Sequence, residues 1–190
     1  MMVEMFGGMF LMMLMAYSVV PLFPFVYVLL RWRQAREGVS PDPQLGLRLA
    51  LYYFATIGLH VMLVGVVSGL YGLVVDGPRE SESMMRVGAG LLIGGGIVFG
   101  VHRVLIARLT DPATGGNLAR AFAGLNVVLC GLIGMGALIA ATVMLTQESV
   151  PEEGFKVSAV TMVVYLAAWA GQGLALIRMS SLSRVSSVEV

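Results

Sequence analysis

Five long apolar runs, separated by stretches too short to fold on their own, occupy nearly all of this 190-residue sequence. They cover about residues 5–30, 48–75, 86–108, 120–145 and 156–178. A bilayer core about 30 Å thick is crossed by roughly 20 helical residues, so every run is long enough. One such run would suit a buried core helix; five in a short chain do not. Only 12% of the residues are charged, against about 25% in soluble domains, so polar side chains cannot cover a surface in water. In lipid, each backbone N–H and C=O must be satisfied within its own segment, which selects helix. The expectation is an all-α membrane protein, a bundle of five transmembrane helices. Residues 1–180 then form a single five-helix transmembrane domain and 181–190 a short, serine-rich, disordered cytoplasmic tail.

The first run is not patterned as a signal peptide. No Lys or Arg precedes Arg31, Glu4 is acidic, and the run is too long for a typical h-region. It reads as a retained helix, kinked where Pro21 and Pro24 each remove a backbone hydrogen bond. The longest loop, about 31–47, holds Ser40-Pro41-Asp42-Pro43, an ordered turn in which Asp42 can cap the second span. The remaining loops on the opposite side, 76–85 and 147–155, have about ten residues each.

Orientation follows from arginine. Arg31, Arg33, Arg36, Arg48, Arg103, Arg108, Arg120, Arg178 and Arg184 fall on one side; only Arg79, Arg86 and Lys156 fall on the other. The positive-inside rule puts the N-terminus outside and the C-terminus in the cytoplasm. Eleven arginines to one lysine, with abundant Gly, Ala and Val, resemble the product of a GC-rich bacterial genome, and so an inner-membrane location. A net charge of +1 carries no basic field for nucleic acid. The single cysteine, Cys130, allows no intrachain disulfide. Neither asparagine begins a glycosylation sequon.

Spans two and three resemble spans four and five at an offset near 70. Arg86-Val87-x-Ala89 matches Lys156-Val157-x-Ala159; Phe99, His102 and Arg108 meet Trp169, Gln172 and Arg178. Such duplicated two-helix hairpins would be parallel repeats, as in some transporters.

Glycine is the commonest small residue, with 24 copies. Gly58, Gly65, Gly69 and Gly72 form a stripe on span two; Gly90-x₃-Gly94 and Gly96-x₃-Gly100 lie on span three, and Gly131 on span four. Helix contact brings no hydrophobic gain in lipid, so small residues that permit close approach drive association. These glycines are expected to pack helices, within the chain or between protomers.

No carboxylate or lysine lies deep in a run, which weighs against ion-coupled pumping and excludes a Ser-His-Asp arrangement. What remains is a polar layer of Tyr53, Thr56, His60, His102, Asn126 and Gln172. Tyr53, Thr56 and His60 share a helical face. Such groups either bond across helices or line a path. His60 and His102 are also the only pair able to ligate a haem iron axially, although their depths differ by several ångströms. No cysteine or carboxylate clusters with them, so a metal ion is not expected. Half of the fourteen methionines (Met1, Met2, Met5, Met9, Met12, Met13, Met15) crowd the N-terminus. Thioethers suit Cu(I), but methionine is more often a flexible apolar filler.

Three functions are compatible with this pattern. The first is a non-catalytic integral membrane subunit, surrounded by lipid and packed in a homo-oligomer or with other membrane subunits. The second is a channel or transporter whose path follows the polar layer. The third is a haem b electron-transfer subunit using His60 and His102. No catalytic residue is legible, and no cofactor is expected under the first two.

Overall fold

The computed structural model describes residues 22–36, 38, 42–110, 112–147 and 152–185. Among these there are five helices and no strand. They are α1 (Leu22–Arg36), α2 (Leu45–Val74), α3 (Pro78–Leu109), α4 (Pro112–Leu145) and α5 (Glu152–Val185). Four are long and apolar enough to cross a membrane: Leu45–Val74, Pro78–Leu109, Leu118–Leu145 and Glu152–Arg178. The chain is thus built as a multi-pass integral membrane protein. Most of the first apolar run, with Glu4, Pro21 and the methionine cluster, lies outside the described residues. The chain divides into two compact units, 1–50 and 51–190, with the division inside α2.

The helices are longer than hydropathy predicts. α1 continues to Arg36, so the expected 31–47 loop shrinks to the stretch between Arg36 and Leu45. α3 begins at Pro78 rather than near 86, because proline is pre-organised for the first helical turn and Glu80 complements the N-terminal dipole. α5 runs on to Val185, past the expected boundary at 180, since no Gly or Pro between Arg178 and Val185 stops it. Helix needs satisfied backbone bonds rather than apolar side chains, so polar turns extend each span beyond its apolar part.

In the 1–50 unit, the start of α2 is organised by Asp42. Its Oδ1 accepts from the Gln44 backbone N–H at 2.8 Å, and its Oδ2 accepts from Arg48 Nη1 at 3.0 Å. Gln44 Oε1 accepts a second bond from Arg48 Nη2 at 3.0 Å. Arg48 is almost wholly buried, 1% exposed, so its charge is neutralised beside the helix start. This is the capping role expected of Asp42.

In the 51–190 unit, α2 and α3 form an antiparallel hairpin around Gly77, whose φ of 103° suits glycine. The pair closes on glycine. A β-carbon on Gly58 would stand 2.5 Å from the Phe99 backbone nitrogen, and one on Gly65 would stand 2.5 Å from that of Leu92. From the other side, a β-carbon on Gly88 would meet Gly69 N, and one on Gly95 would meet Met62 N, each at 2.5 Å. Gly72 extends the seam towards the turn, where Ser81 Oγ donates to the Gly72 carbonyl at 2.6 Å. Both helices present glycine every seventh residue, so the backbones touch along several turns.

α4 and α5 pack differently. Gly131 receives the Trp169 indole, its would-be β-carbon 3.0 Å from Cδ1, and Gly134 receives Leu166. The core sits where α2, α4 and α5 converge: Leu59 and Leu63 meet Cys130, Val164 and Tyr165. A second cluster joins Leu51 and Ala55 to Ile106 of α3. At the turn ends, Lys156 pairs with Asp76 at 2.5 Å and Glu152 at 2.8 Å, and the Tyr71 hydroxyl donates to Glu153.

Candidate functional site

The core of the 51–190 unit contains a polar node. His60 comes from the middle of α2, where its ring stacks on Tyr165 of α5, centroids 6.1 Å apart and planes 20° apart. Asn126, on α4, adjoins the His60 imidazole within hydrogen-bonding reach. One turn further along α4, Cys130 is fully enclosed against Tyr165. Thr56, one turn before His60, is also buried. Three helices thus converge on one imidazole.

His60 Nε2 and Asn126 Oδ1 are both sealed from solvent, and neither meets a partner at hydrogen-bond geometry. An imidazole nitrogen can donate, and an amide oxygen accepts, so the two atoms are complementary. A direct hydrogen bond or one bridging water or ligand hydroxyl would satisfy both. Leaving both unmet in lipid costs several kcal/mol in order of magnitude. The node therefore binds itself shut or holds one small polar group.

The other members of the sequence-derived layer lie elsewhere. Tyr53 makes an edge contact with Phe54, ring centroids 5.6 Å apart. His102 of α3 packs against Phe54 at 5.3 Å, and its Nδ1 is 2.7 Å from the Val98 carbonyl, one turn back in its own helix. Gln172 is half-buried on α5, about two turns past Tyr165. His60 and His102 therefore lean on different neighbours. Phe54 precedes His60 by six residues, about 9 Å along the helix. Among the described residues no group of three or more His, Cys, Asp and Glu side chains is placed to hold a metal ion.

The glycines divide just as clearly. Gly58, Gly65 and Gly72 face α3, and Gly131 faces α5. A β-carbon on Gly69, Gly90, Gly94 or Gly100 would meet nothing within 4 Å, and one on Gly96 only the Met62 sulfur at 4.0 Å. The α3 glycines that close the hairpin are Gly88 and Gly95, which the four-residue spacing did not single out. Their signal was the seven-residue period they share with Gly58, Gly65 and Gly72. Tyr165 and Cys130 were also missed, because inside an apolar run both read as apolar. No family model, curated protein or solved structure matches the chain.

Proposed function

We propose that this chain is a non-catalytic integral membrane subunit acting through helix packing in a homo-oligomer or a larger membrane complex. The supporting observation is the second face of α3. Gly88 and Gly95 are consumed by α2, yet Gly90, Gly94 and Gly100 remain open beside exposed Ile93, Ile97, Val101 and Val104. Open glycines let a neighbouring helix approach closely, which is what favours association in lipid. In this reading the first apolar run supplies a fifth span. The N-terminus lies outside and the C-terminus inside a bacterial inner membrane, as the arginine distribution favours. Duplication of the hairpins rests on the Arg86/Lys156 and Arg108/Arg178 matches; the unlike seams of the two hairpins do not add to it.

Purification in a gentle detergent, recording absorbance, mass and co-purifying chains together, tests this reading. An inert, lone 20.2 kDa chain without crosslinked partners would count against it. A channel or transporter is the second reading, favoured by the unpartnered atoms of His60 and Asn126. Solute flux in liposomes that Asn126→Leu alters would support it. A haem b carrier has the least support, because His60 and His102 lean on different neighbours; the same absorbance record, without a Soret band after haem-replete expression, would end it.

A further inference from the structure

α1 carries an exposed stripe whose chemistry changes in order along the helix. Phe25, Leu29, Trp32 and Arg36 follow one another at four-, three- and four-residue steps, so they share a face. Phe25 is 65% exposed, Leu29 48% and Trp32 57%, with Val28 beside them at 62%. The Arg36 guanidinium lies over the Trp32 ring, 5.2 Å from its centroid. No carboxylate pairs with it among the described residues.

From Leu29 to Arg36 the axis advances about 10 Å. Over that distance the face passes from aliphatic to indole to cation. A lipid leaflet has the same order: acyl chain, ester region, phosphate. Indole rings settle at the ester level, and basic side chains beside them attract anionic headgroups. We propose that this face of α1 binds an anionic phospholipid, with the acyl chain along Phe25, Val28 and Leu29 and the phosphate held by Arg36 above Trp32. The stacked ring holds the guanidinium at headgroup height, so less side-chain freedom is lost on binding. A soluble acidic protein would satisfy Arg36 but would leave the apolar half of the stripe uncovered.

The proposal rests on the membrane reading above, and one experiment separates the two. The chain has two tryptophans, Trp32 and Trp169. In Trp169→Phe, Trp32 is the only indole reporter. This variant is reconstituted in vesicles of equal parts phosphatidylcholine and phosphatidylglycerol, with brominated acyl chains on one lipid or the other. The expected result is preferential quenching by brominated phosphatidylglycerol, reflecting about fivefold local enrichment, the effect of one basic side chain at a surface. Arg36→Gln abolishes the preference. Equal quenching by both lipids would overturn the lipid site while leaving the membrane reading intact. No quenching by either would overturn both. If Trp169→Phe does not fold, native mass spectra of the wild-type chain provide the second measurement. Phosphatidylglycerol retained over phosphatidylcholine, and lost in Arg36→Gln, supports the site; no such difference overturns it.

Discussion

Gly58 and Gly95 interlock across the α2–α3 hairpin. A β-carbon on Gly58 would stand 3.0 Å from the Gly95 carbonyl oxygen, and one on Gly95 would stand 2.8 Å from that of Gly58. Each would also come within 2.5 Å of a backbone nitrogen on the opposite helix. Backbone cannot rotate aside as a side chain can. Gly58→Ala and Gly95→Ala are therefore each expected to force the helices apart, at a cost of about 1–3 kcal/mol. Alanine's better helix propensity offsets only about 1 kcal/mol of that. Gly100→Ala, in open space, should leave the fold unharmed. Thermal unfolding in detergent, followed by helix content, separates the two groups.

The His60–Asn126 node makes a non-additive prediction. If the Asn126 amide meets the His60 imidazole, Asn126→Leu and His60→Phe each strand the other side chain and should each destabilise by about 1–3 kcal/mol; if the two stay unpaired, neither should. The double variant removes both polar atoms and should regain part of that loss. A double-mutant cycle on unfolding free energies measures the coupling; simple additivity would show that the two side chains do not act together.

Asp42 and Arg48 are expected to act as a unit at the start of α2. Asp42→Ala strips the nearly buried Arg48 guanidinium of a carboxylate, with a cost near the lower end of the about 3–5 kcal/mol typical of broken buried pairs. The end of that range is set by Gln44, which still accepts from Arg48. Asp42→Asn keeps an acceptor for the Gln44 N–H and should lose less. Unfolding of both variants under the same conditions ranks them.

At the turn ends, the Asp76–Lys156–Glu152 cluster is mostly exposed on its acidic side, 77% at Asp76 and 71% at Glu152. Exposed pairs are weak and screened by salt. Lys156→Met should lower the unfolding temperature slightly at low ionic strength and leave it unchanged at high ionic strength. A salt series of melting curves checks this.

The apolar runs made most of the fold legible, since length and hydropathy alone identify a segment that lipid can accept. Pro78–Met85 and Glu152–Phe155 read as loop because their polar side chains hide a backbone that is already helical. Gly58, Gly65 and Gly72 were recognisable as a stripe, but the face of α3 was not. Gly94-Gly95-Gly96 fits several spacings at once, and only the partner helix selects Gly95. Asn126 and His60 were legible as polar groups of one layer, but nothing in the sequence paired them. Tyr165 was not, because a tyrosine among valines reads as apolar until its ring is found against an imidazole.

The open glycine face of α3 is proposed as a packing surface for another membrane helix. Native mass in gentle detergent tests this by comparing the wild-type chain with Gly94→Leu/Gly100→Leu. The wild-type mass should exceed that of one 20.2 kDa chain. The double variant should have the mass of a single chain and unchanged helix content. A wild-type protein that runs as a lone chain, or a variant that keeps the same assembly, would contradict it.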